Sequence, residues 1–255
     1  MITIKQIRKN KIGFNTQINI CNAQISALQL IKQPITSQLF HKQTKIVKRL
    51  LICLDVLLRI KSQHYIAATG LYYNSIPKKD NRENYQATSE VYREVIANKN
   101  KIDVCDTLQK VEEKAQLNCK VCANGAAFCS LLRLGDQISL TRKEITKTDF
   151  DDTIVTAFHE KGLIELLKYF SEKELLLIEW LFEGWPVHHD VYKTIKKDEE
   201  HRLFSTAAEN NDFETVEQFL YTMQNNERLQ WIFNHFFINN GLNLHAASIE
   251  INNKI

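Results

Sequence analysis

The sequence predicts a mainly α fold: a compact single-domain helical body with at most a small strand element. Three observations predict it. Glycine and proline are scarce, 7 and 3 in 255 residues, and all-β folds draw on both for their many turns. Apolar residues recur at i, i+3 and i+4 along several stretches, the period of a helix with one face buried. Apolar residues make up 44% and charged residues 25% of the chain, the proportions of a globular protein that can close a core. That balance excludes collagen-like, mucin-like and acidic disordered chains.

The N-terminal 40 residues show weak patterning. Short apolar runs such as Ile18–Asn19–Ile20 alternate with Gln and Asn. Residues 1–45 are therefore read as a basic, loosely packed extension, 46–247 as the helical globular domain and 248–255 as a frayed C-terminus. Within 43–62, Ile46, Val47, Leu50, Leu51, Leu54, Leu57 and Leu58 keep an i, i+3/i+4 rhythm and predict an amphipathic helix. The stretch Tyr65 to Tyr73 follows, with Gly70 permitting a turn, and Pro77 to Asp80 reads as loop. Helices are expected over 84–98, over 106–117 with Asp106 as N-cap, over 149–160 and over 162–170. Ser171 and Glu174 have capping-box spacing and open the apolar run Leu175 to Phe182. Gly184 and Pro186 stop it. Asp212 to Gln224 and Glu227 to Ile238 follow as helices, and Gly241 marks another stop.

Charge is uneven along the chain. Residues 1–61 hold 11 Lys and Arg against the single acid Asp55, a local net of +10. Residues 62–255 hold 22 against 29, a net of −7. A basic arm of this kind can bind phosphate backbones, although no Arg-rich cluster or interleaved aromatic platform accompanies it. An attraction between the basic arm and the acidic body fits equally. No apolar run reaches the roughly 18 residues that a bilayer span needs, so no membrane partner is expected. The N-terminus has no apolar stretch before a small-residue cleavage site, and it is too poor in Ser and Arg for a transit peptide. Six cysteines are too sparse for a disulfide scaffold, and reduced thiols in a cytoplasm are the expectation.

The densest motif is Cys119-Lys120-Val121-Cys122-Ala123-Asn124-Gly125-Ala126-Ala127-Phe128-Cys129. C-x-x-C spacing lets two thiolates reach one tetrahedral zinc. A structural zinc site usually has a second such pair, and Cys105 and Cys129 do not form one. Cys105 and His188 are the further metal candidates beside Cys119 and Cys122; His159 and His189 could also approach in space. Alternatively, Cys119 or Cys122 at a helix N-terminus would be a thiolate nucleophile with a distant histidine as base. The third reading is packing: Ala123, Gly125, Ala126, Ala127 and Ser130 leave little bulk, so a neighbouring element can come close. The pair His188-His189 with Asp190 reads as surface loop. Asp151-Asp152 and Asp198-Glu199-Glu200 read as solvated helix ends or faces. Phosphate-loop, dinucleotide, hydrolase-elbow and zincin motifs are all absent. No catalytic residue and no cofactor is predicted, zinc entering only through the four candidates named.

Cys119 to Arg133 resembles the C-x-V-C-A-x-G-A stretch of a family of small uncharacterised bacterial and phage proteins. Asp55 to Tyr72, Phe170 to Gly184 and Arg228 to Gly241 are similar to that group in the same order, together spanning about 50–245. The resemblance implies a cytoplasmic accessory protein of mobile elements and supplies no mechanism. Residues 1–45, Cys129 and the histidines fall outside it. The expected function is a non-enzymatic interaction or regulatory protein with a protein partner. A thiol- or zinc-dependent enzyme centred on Cys119 and Cys122 is the first alternative. Nucleic-acid binding through 1–61 is the second.

Overall fold

The computed structural model describes residues 4–69, 73–77, 101–103, 117–135, 139–141, 162–184 and 207–253. The fold is mainly α. Helices α1 (Ile4–Leu30), α2 (Ser37–His41) and α3 (Lys45–Lys61) lead into strand β1 (Tyr65–Ala67). Strands β2 (Tyr73–Pro77), β3 (Lys101–Asp103) and β4 (Leu117–Val121) precede helix α4 (Ala123–Arg133) and strand β5 (Ser139–Thr141). Helices α5 (Glu172–Glu183), α6 (Ala207–Tyr221), α7 (Asn225–Asn239) and α8 (Leu244–Asn252) complete the described elements. The strand content is small. One sheet has the order β1-β4-β2, with β1 parallel and β2 antiparallel to β4; β3 and β5 form an antiparallel pair. Pro77, expected in a loop, closes β2, which is an edge strand and tolerates a residue without an N–H. Leu117, expected to end a helix, opens β4.

Helix α3 is the hub. Leu50, Leu51, Ile52, Cys53 and Val56 have no exposed surface, so the stretch 50–56 is buried on every side, with α1, α4, α7 and β1 packed around it. Each such side chain contributes about 1.5–3 kcal/mol on burial. Its ends are set locally. The Thr44 hydroxyl accepts from the Val47 amide at 3.4 Å. At the other end Gln63 takes a left-handed φ of 57°, and the amides of Gln63 and His64 return to the carbonyls of Ile60 and Arg59, a Schellman ending. Asp55, which interrupts the apolar run in sequence, is buried and paired. Its carboxylate lies 3.7 Å from Arg59 Nε and 3.4 Å from Arg133 Nε.

The capping box at Ser171 is present in both directions, and Gly184 ends α5 in the left-handed region at φ 89°. Arg228 is buried behind that end. It donates to the carbonyls of Leu220, Phe182 and Met223 and lies 4.6 Å from the Tyr221 ring centroid. The helices expected over 84–98 and 149–160 lie outside the described residues, as does Gly70.

The N-terminal segment, expected to be loosely packed, supplies core residues. Ala23, Ala27 and Phe40 are buried. Gln24 Nε2 donates to the carbonyls of Phe237 and Ile238. Ser37 Oγ and His41 Nε2 bind the Gly135 carbonyl at 2.7 and 3.0 Å. The attraction between basic arm and acidic body is realised by Arg49, whose guanidinium meets Glu174 at 3.1 Å and also binds Asn240. The C-terminus also differs from the frayed segment expected over 248–255: α8 runs to Asn252, with Ser248 and Ile251 buried. The weak patterning of residues 1–40 has a physical cause. Helix α1 is apolar on two faces, one turned to the body and one to solvent, so no single stripe stands out.

Candidate functional site

The C-x-x-C segment forms a strand-to-helix junction. Cys119 lies in β4, with its Cα opposite Tyr65 on one side and Ser75 on the other. Cys122 leaves the strand extended and becomes the N-cap of α4. Its sulfur accepts from the Gly125 amide at 3.3 Å. The small residues of the motif do what the packing reading expects: Ala123, Gly125, Ala126, Ala127 and Ser130 are buried, and α4 packs on both α3 and α5.

Around this junction the structure gathers polar groups in the core. Asn124 is fully buried; its amide nitrogen lies 3.4 Å from the Leu175 carbonyl and 3.3 Å from Glu179 Oε2. Its Oδ1 finds no hydrogen-bond partner among the described residues. Glu179 and Glu183, one turn apart on α5, are also buried. Burial pushes the Cys122 thiol well above its ordinary range; the Gly125 amide opposes this, while the nearby Glu179 and Glu183 carboxylates reinforce it. A thiol held neutral is a poor nucleophile, even at a helix N-terminus. Burial raises Cys53 in the same way.

Cys105 and His188, with His159, His189 and Asp190, lie outside the described residues. Among the described residues no group of three or more His, Cys, Asp or Glu side chains is placed to hold a metal. Sequence reasoning missed Asn124, Glu179 and Glu183 as a cluster. The available signal was two glutamates four apart inside a capped apolar helix, where water-facing residues are few. An Asn124→Asp variant tests how tightly the cluster is closed. A second carboxylate facing Glu179 inside the core is disfavoured as an anion by burial and by the like charge, so its proton is held more tightly in the folded state than in the unfolded chain. The stability lost should be about 3 kcal/mol at pH 7 and should shrink as pH falls toward 5. Urea unfolding of variant and parent at both pH values measures it; a deficit independent of pH would show that the position is hydrated.

An open cleft of about 390 Å³ lies at the start of α8, lined by Leu177, Leu242 and Leu244 together with Lys173, Asp212 and His245. His245 Nδ1 is 3.0 Å from Asp212 Oδ2. The His245 side chain is 72% exposed, so this pair is a solvated surface contact rather than a built site.

The outer face of α1 is the other distinctive surface. Ile18, Ile25 and Leu28 are 42%, 53% and 44% exposed, and Cys21 between them is a free, exposed thiol. Their spacing of three and four places them in one line. Asn15, Gln17, Asn22 and Gln29 flank that line and are exposed. Among the described residues no helix is long and apolar enough to cross a membrane.

Comparison of the chain with protein-family models, with curated proteins and with solved structures found no match.

Proposed function

We propose that this chain is a cytoplasmic interaction or regulatory protein without catalytic activity, acting through a protein partner. The observation that carries this reading is the placement of Cys122. The sequence concentrates its chemistry-bearing residues at one motif, and there the thiol serves as a buried helix cap held in its neutral form. That use favours packing over nucleophilic or zinc chemistry. Cys21, Cys53 and Cys122, thiols outside any disulfide among the described residues, suit a reducing compartment. The resemblance of 50–245 to small bacterial and phage proteins adds a mobile-element setting. Nucleic-acid binding through 1–61 has weaker support, because Arg49 and Arg59 are engaged by Glu174, Asn240 and Asp55. Arg8 and the lysines would then carry any phosphate contact.

The test is metal content of the purified full-length protein, with thiol titration of Cys119→Ser and Cys122→Ser variants beside the parent. The expected result is no bound metal, a Cys122 thiol that reacts only on unfolding, and a Cys122→Ser protein that remains folded, since a hydroxyl is a good N-cap. One zinc per chain, lost with either substitution, would overturn the reading.

A further inference from the structure

We infer that the corner where α2 meets α3 is a docking surface, and that its occupant is an acidic segment of a partner protein, one carrying aliphatic side chains among its carboxylates. The inference rests on the interaction-protein reading and names the partner's chemistry. Lys42, Lys45 and Lys48 follow one another at three-residue intervals around this corner, and Lys32 precedes it. Lys32, Lys42 and Lys45 are exposed; Lys48 is half-buried, its ammonium 5.7 Å from the Phe40 ring centroid. None of the four makes an ion pair among the described residues. The chain has no acid before Asp55. In the segment 162–174, whose Tyr169 packs on Phe40, Glu165 is paired with Lys168 and Glu174 with Arg49.

These cations stand where the helix itself does not favour them. The first turn of α3 holds no acid. Lys45 and Lys48 lie at the positive pole of the helix, where carboxylates stabilise and ammonium groups destabilise. Stability of the fold therefore does not account for them, and an anion arriving from outside relieves their repulsion. The surface is one place on the body. Gln24 of α1 and Arg49 of α3 both reach the end of α7, so the last turns of α1 and the first turns of α3 share one end. The connector between them is pinned there by Ser37 and His41. The residues among the lysines favour a protein segment over a nucleic acid. Ile31 and Ile46, chain neighbours of Lys32 and Lys45, are half-buried, as is Ile35. Aliphatic side chains of a peptide can cover what remains open of them. Nucleic-acid recognition draws on arginine forks and on rings that stack bases. Here Arg49 is engaged by Glu174 and Asn240, and the rings of Phe40 and Tyr169 are buried.

The experiment is fluorescence anisotropy on the full-length protein, with a labelled synthetic peptide of glutamate, leucine and alanine as the probe, from about 50 to 500 mM salt. The parent is compared with Lys45→Glu and Lys61→Glu. Both variants change the net charge equally, and they sit at opposite ends of α3, roughly 24 Å apart, about three Debye lengths at physiological salt. The parent should bind the peptide, more weakly as salt rises. Lys45→Glu should weaken binding about 10-fold and yet raise the thermal midpoint by about 1–3 °C, because an acid then faces the helix pole. Lost binding in a more stable protein is not misfolding. Lys61→Glu should leave binding within about 2-fold of the parent. A parent that ignores the peptide at the lowest salt overturns the inference. Equal weakening in the two variants also overturns it, since net charge alone would then be read. So does labelled RNA or duplex DNA that binds more tightly than the peptide and is lost in Lys45→Glu, which would make the corner a phosphate surface. These outcomes leave the interaction-protein reading standing, because a partner can dock elsewhere; bound zinc lost with Cys119→Ser or Cys122→Ser removes that reading, whatever the peptide does.

Discussion

Replacing Arg228 with alanine will cost about 3 kcal/mol or more of folding stability, because one buried guanidinium binds three backbone carbonyls at once. Phe182 belongs to the last turn of α5, Leu220 to the last turn of α6, and Met223 to the turn that follows. A helix end leaves carbonyls such as that of Phe182 without intrahelical partners, whereas the Leu220 carbonyl also takes the Met223 amide at 3.0 Å. A buried carbonyl without a donor costs the full desolvation of that group. The cation also sits where two helix dipoles present their negative ends. Alanine would remove the donors and the face-on contact with Tyr221 together. Lysine keeps the charge but has no planar fork, so Arg228→Lys should lose more than half of the same amount. Denaturant unfolding of the two variants measures both. A loss under about 1 kcal/mol for alanine would show that water can reach these carbonyls and take over the role.

Gly135→Ala will lower stability by about 2–4 kcal/mol and loosen the grip of α2 on the body. Gly135 has a φ of 115°, a region that side chains disfavour. A Cβ there would stand 2.3 Å from Ser37 Cα and 2.5 Å from Ser37 Cβ. The first of these is backbone and cannot rotate away. The same glycine offers its carbonyl to Ser37 and His41, so displacement would break both hydrogen bonds. Hydrogen exchange should show amides of α2 losing protection while those of α3 keep it. Adding Ser37→Gly should not restore the parent stability, because the clash is with the Cα. Full recovery in that double variant would place the obstacle in the side chain instead.

Where local rules decide the outcome, the sequence was readable. The rhythm of 43–62 marks α3 to within two residues, and Thr44 supplies its cap. Ser171, Glu174 and Gly184 bracket α5 as their chemistry requires. Helix α7, expected from Glu227, begins two residues earlier at Asn225. Residues 1–45 were not readable in this way. A helix with apolar residues on two faces shows no amphipathic stripe, and Gly13 together with many Asn and Ile lowers its intrinsic propensity. The parallel pairing of β1 with β4 joins three-residue stretches some fifty positions apart, which no local pattern encodes. The candidate site was half legible. The small residues after Cys122 foretold close packing. That Asn124, Glu179 and Glu183 would face the same buried junction depends on how α4 meets α5, and neither helix specifies that alone.

The engagement of the chain's two ends sets an order of events during synthesis. Helix α3 is finished at residue 61, yet α7, which packs along it, is complete only at residue 239. Arg49 likewise waits for Asn240, and Gln24 for Phe237. At roughly 5–20 residues per second of translation, the central helix of the fold is without its last neighbour for about ten seconds or longer. Local helices can form in that interval, but the hub stays uncovered until the C-terminal helices emerge. A chain truncated before α7 would therefore be a sticky intermediate and a substrate for chaperones, and the emergence of α7 is the step that covers the hub.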